Sequence, residues 1–96
     1  GTANKERAIK GFKIIQSDTN VRSVLINIFG GIIRCDMIAS GIVEAIKELN
    51  FTLPIVVRFQ GTNAAQGRDI INQSSSDVIS IDDLTEAAKK AVELAQ

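Results

Sequence analysis

The sequence predicts an α/β fold built on a parallel sheet, and three observations predict it. Two stretches, Val24–Phe29 and Ile55–Phe59, are almost continuously apolar and rich in β-branched residues, which suits strands covered on both faces. Around them apolar residues recur at helical spacing, so the chain alternates α-β-α-β-α-β-α, and right-handed crossovers wrap the helices around the sheet. Phe29-Gly30-Gly31 and Phe59-Gln60-Gly61 also echo one another at the length of a βα repeat, each ending a strand and opening a helix. With 96 residues, 45% of them apolar and 23% charged, one packed domain is expected.

The first helix runs from Asn4, its expected cap, to about Ser17, with Ala8, Ile9, Phe12 and Ile15 on one face. Asp18-Thr19-Asn20 reads as a turn before the first strand, Val24–Phe29, which Gly30-Gly31 is expected to break. A second helix, about Asp36 to Asn50, buries Ile38, Ile42, Ala45, Ile46 and Leu49 and keeps Glu44, Lys47 and Glu48 wet. Pro54 precedes the second strand, Ile55–Phe59, where proline is tolerated at a strand start. Asn63-x-x-Gln66 reads as a capping-box variant for a short helix to about Gln73, in which Gly67 lets the helix approach a neighbour closely. After the Ser74-Ser75-Ser76 loop, Val78–Ile81 forms the third strand. Asp82 and Asp83 then place negative charge at the start of a last helix with Leu84, Ala88, Ala91 and Ala95 as its core stripe.

Composition excludes much chemistry. The net charge is zero, which gives no pull toward nucleic acid or an anionic membrane, and no apolar run has the length of a membrane helix. Residues 1–34 nevertheless carry +4 and residues 35–96 carry −4. No His is present, so an imidazole base, a His-based metal site and a phosphohistidine cannot come from these residues. The lone Cys35 can form no disulfide within the chain and, with no His to activate it, reads as buried filler.

In a parallel sheet ligands sit beyond the carboxyl ends of the strands, which points to the two glycine loops. Gly30 and Gly31 can take positive φ and present backbone N–H groups where a helix dipole begins, and Arg34 adds charge, so Gly30, Gly31 and Arg34 form a candidate phosphate or carboxylate loop. An empty strand-to-helix turn has the same residue types, and both readings stand at this point. The loop is no dinucleotide fingerprint, because Ile32 and Cys35 replace its second and third glycines. Gly61-x5-Gly67-Arg68 likewise misses the phosphate-loop pattern in spacing and in its closing residues.

Asn27 to Ile42 (NIFGGIIRCDMIASGI), Pro54 to Asn63 (PIVVRFQGTN) and the run from Asp83 (DLTEAAKKA) resemble the C-terminal CoA-ligase domain of succinyl-CoA synthetase β subunits over nearly the whole chain. The resemblance implies a flavodoxin-like three-layer αβα fold. It further implies that residues 1–96 are part of that domain, with its first strands and the ATP-grasp domain absent. It implies a succinate–CoA ligase, an acid–thiol ligase coupling succinyl-CoA cleavage to phosphorylation of a nucleoside diphosphate through a phosphohistidine on a partner α subunit, in a heterodimer or heterotetramer. The loop matching Gly31, Ile32 and Ile33 binds the succinate carboxylate in that family. Mg2+, ATP/ADP or GTP/GDP, and CoA belong to the full enzyme, and no metal ligand, catalytic group or cofactor site is expected in these residues. Gln60 departs from the Glu of many members, and Arg34-Cys35-Asp36 is closer to the ADP-using bacterial forms. The family places the protein in the mitochondrial matrix or, alternatively, the bacterial cytoplasm. Malate–CoA ligase, ATP-citrate lyase and a non-catalytic anion-binding interaction module are the alternatives.

Overall fold

A computed structural model of the chain describes residues 2–74 and 77–96. The elements run α1 (Thr2–Gln16), β1 (Val24–Arg34), α2 (Cys35–Leu49), β2 (Ile55–Thr62), α3 (Ala64–Ser74), β3 (Val78–Ser80) and α4 (Leu84–Leu94). The strands form the expected three-stranded parallel sheet in the order β1-β2-β3. Val24 stands opposite Ile55, and Ile55 opposite Val78. Backbone bonds from Val24 N to Pro54 O and from Ile55 N to Asp77 O, both 2.9 Å, set the start of the ladder.

Ile55, Val56 and Val57 have no exposed surface, which explains the unbroken apolar run of β2. Ile55, Val57 and Phe59 join Phe12, Cys35, Ala39, Ile42, Ala45 and Ile71 in the core beneath α1, α2 and α3. Val56 faces the other way, into a smaller core with Ala87 and Ala91 of α4. Helices therefore cover both faces, in three layers. Close approaches hold the larger layer together. A Cβ at Gly41 would lie 3.0 Å from backbone atoms of Asn4 and Lys5, and one at Gly67 would lie 3.0 Å from the Cys35 carbonyl oxygen. Gly67 thus does what its place in the sequence suggests. Phe12 and Phe51 stack with ring centroids 4.7 Å apart, and Lys5 pairs with Glu48 across α1 and α2 at 3.1 Å.

Several boundaries differ from expectation. Asn4 caps nothing: α1 already starts at Thr2, and Asn4 lies against Gly41. Gly30-Gly31 does not break β1, which continues to Arg34, because a second glycine on β2 lets the two backbones pass. Leu84 is 44% exposed and the buried stripe of α4 is Ala87 and Ala91, with Leu94 packed beside them; small alanines fit closely over Val56 and Ile79. Asp83 does cap this helix, its carboxylate accepting from Thr85 N at 2.9 Å. Ser74 closes α3, whereas Ser75 and Ser76 of the expected loop lie outside the described residues.

Candidate functional site

Both glycine crossovers emerge at the carboxyl end of the sheet, where β1 and β2 change alignment. Up to Gly30↔Gly61 the strands pair residue for residue; the next pair is Arg34↔Thr62. One step on β2 thus spans four on β1, and Gly31, Ile32 and Ile33 are carried out of the ladder as a bulge. Gly30 has φ 137° and Gly61 φ 146°, which side-chain-bearing residues rarely adopt. A Cβ at Gly61 would sit 2.6 Å from the Gly30 carbonyl oxygen, so this crossing requires a glycine. Beside it Phe29, Gly30, Gln60 and Gly61 line an open depression of about 370 Å3.

Beyond Gly30, the other four predicted residues are placed differently from one another. Ile32 is 97% exposed, while Ile33 is half-buried with its side chain turned back toward Gly30. Gly31 lies within β1. Arg34 is the N-cap position of α2, makes no side-chain cap bond, and donates from Nη2 to Asp36 Oδ2 at 3.2 Å. Its charge is therefore already engaged by a carboxylate, and α2 begins beyond the bulge at Cys35, one residue before the expected Asp36.

Two residues that the sequence pattern assigns elsewhere, Asp36 and Asn63, complete the arrangement. Asn63, expected to cap α3, sits at φ 58° and donates from Nδ2 to Asp36 Oδ1 at 3.1 Å. Its place directly after Gly61-Thr62 was the available signal, since Asn tolerates the left-handed region. The Asn63 amide, reinforced by the Arg34 guanidinium, holds the Asp36 carboxyl below its ordinary value against the opposing effect of burial. Burial, then the Asp36 charge, pushes the Cys35 thiol up, which suits filler and not a nucleophile. Nearby, Arg58 donates to Asn27 Oδ1 (3.1 Å), Gln60 Oε1 (3.0 Å) and the Asp82 carbonyl (3.0 Å), tying β1, β2 and the start of α4 together. Among the described residues no group of three or more acidic or Cys side chains is placed to hold a metal ion.

The matched family model is CoA-ligase, and it spans residues 1–92. The chain belongs to the CoA-ligase family. Within that family it is 55% identical over its whole length to the ADP-forming succinate–CoA ligase β subunits of Vibrio campbellii, Colwellia psychrerythraea and Shewanella sediminis. It spans a quarter of the length of those relatives. They are bacterial and give the mitochondrial expectation no support. Among the described residues no helix is long and apolar enough to cross a membrane.

Proposed function

We propose that this CoA-ligase chain is the C-terminal part of an ADP-forming succinate–CoA ligase β subunit of a bacterial cytoplasm, and that its 31–33 bulge receives the succinate carboxylate. The observation that carries the reading is the jump from Gly30↔Gly61 to Arg34↔Thr62, which takes the 31–33 backbone out of the β1–β2 ladder at the ligand-binding end of a parallel sheet. Backbone N–H groups outside a ladder are the donors a carboxylate needs, and the start of α2 adds its positive end close by. With Arg34 held by Asp36, recognition rests on backbone donors more than on a side-chain charge. These residues contain no His, which fits a phosphohistidine supplied from outside them, on this reading by the partner α subunit toward which the bulge presents the acid. The nucleotide and Mg2+ ligands belong, on this reading, to the ATP-grasp domain.

Ile32→Asp in the full-length β subunit, assembled with α, tests this reading. Its side chain is exposed, so the fold tolerates the change, while a new negative charge beside the acid is expected to raise the succinate KM about tenfold or more and leave the ADP KM unchanged. An unchanged succinate KM overturns it. Offering malate and citrate to the same assembly separates the related ligases, and no turnover with any of the three acids leaves only an interaction module.

A further inference from the structure

A bulge of three residues keeps one conformation only if both of its ends are fixed. The Gly30 end is fixed by backbone contact with Gly61. At the Arg34 end, backbone pairing with Thr62 is joined by contacts between side chains. Asp36, in the first turn of α2, accepts from Arg34 Nη2 on one carboxylate oxygen (3.2 Å) and from Asn63 Nδ2 on the other (3.1 Å). Asn63 comes directly after the residue that pairs with Arg34 and belongs to the opposite crossover, 27 positions along the chain from Asp36. One carboxylate therefore joins three points: the end of the bulge, the start of α2 and the β2–α3 connection.

We infer that Asp36 and Asn63 are positioning residues that set the direction of the 31–33 bulge for a small carboxylic acid; this rests on the reading of that bulge as the carboxylate site. Exposure argues for direction over stability. The side chains of Arg34 and Asp36 are 57% and 25% exposed, and an ion pair so placed adds little to folding. Two donors from separate elements on two oxygens of one carboxylate nevertheless fix its orientation, and with it the backbone from Arg34 to Asp36. The charged and titratable groups around Asp36 are Arg34, the adjacent buried Cys35, and Arg68 of α3, which faces Cys35 and is held by Asp82 at 3.2 Å. None of them replaces the Asn63 amide, whose hydrogen bond is the main influence holding the Asp36 carboxyl low.

The test uses the full-length β subunit assembled with α and carrying Asn63→Gly. Glycine keeps the positive φ at no steric cost and deletes only the amide, so melting temperature should hold. The succinate KM is expected to rise about five- to tenfold, the loss of one hydrogen bond to a charged group, while the ADP KM stays as it was. The acid limb of the succinate KM should also move to higher pH. Asp36 with a lowered pKa stays charged as pH falls through the ordinary carboxylate range; without Asn63 it is protonated sooner and releases Arg34. The exchange Asp36→Asn with Asn63→Asp rebuilds the bond with its polarity reversed and should recover most of the lost succinate affinity. An Asn63→Gly enzyme with unchanged succinate KM and acid limb overturns the inference, as does one in which both KM values and the melting temperature worsen together. If Ile32→Asp raises the succinate KM in the same assay, the carboxylate site stands and only the positioning role falls; if it does not, the site reading falls with it.

Discussion

After Phe29 the chain passes Gly30 at φ 137° and spends four more residues before α2 opens at Cys35; after Phe59 and Gln60 it passes Gly61 at φ 146° and needs only Thr62 and Asn63 to reach α3 at Ala64. Each crossover has a glycine in an unusual conformation, and parallel pairing sets Gly30 directly opposite Gly61, so that the Gly30 carbonyl occupies the space a Gly61 side chain would need. Past the glycine they diverge. The shorter one goes straight into its helix and contributes a side chain, Asn63; the longer one bulges and contributes backbone, residues 31–33. A repeated βα unit thus yields two unlike ends, and the difference is one of length, not of turn chemistry.

The largest effect expected from breaking the shared part is at Gly61. Gly61→Ala meets the Gly30 carbonyl as well as a disfavoured φ and should cost about 2–4 kcal/mol. Gly30→Ala meets only the flexible tip of Ile33 and should cost about 1–2 kcal/mol. Urea denaturation measures both, and a reversed order would mean that the crossing is not the shared constraint. Deleting residues 31–33 erases the difference between the crossovers. The ladder then runs from Gly30↔Gly61 directly to Arg34↔Thr62, so stability should stay within about 1 kcal/mol while succinate-dependent turnover of the αβ assembly disappears. The smallest effect belongs to Arg34→Ala: its backbone pairing remains and only one of the two donors to Asp36 goes, so the succinate KM should rise about two- to threefold with stability within about 0.5 kcal/mol.

The strands and their parallel order were legible because Ile55, Val56 and Val57 are buried on both faces, and a short β-branched apolar run between Pro54 and a glycine reads as a covered strand. Gly67 was legible for a similar local reason, a glycine inside a helical pattern with no turn to make. The continuation of β1 through Gly30-Gly31 was not. It depends on the alignment of two strands, and no residue of one strand carries that information. Asn63 shows the same limit: its place just before α3, where its carbonyl accepts from Gly67 N, was legible from spacing, and only the meeting of two crossovers in space gives its Nδ2 to Asp36. On α4, Leu84-Ala88 and Ala87-Ala91 fit the helical period equally well, and it took the narrow surface over Val56 to select the smaller pair. Ile32 and Ile33 entered as site candidates through family resemblance, while Gly31 came from the residues alone, which left an anion loop and an empty turn equally open.

Cys35 has no exposed surface, and the backbone of α3 at Gly67 packs directly on it. It is the one thiol in these 96 residues, so a thiol reagent can modify the chain only during excursions in which α3 lifts from the start of α2. Alkylation of Cys35 then measures the population of the lifted state. The contact that seats the first turn of α2 thereby gives the protein an internal clock for breathing at the end of the sheet where the two crossovers meet.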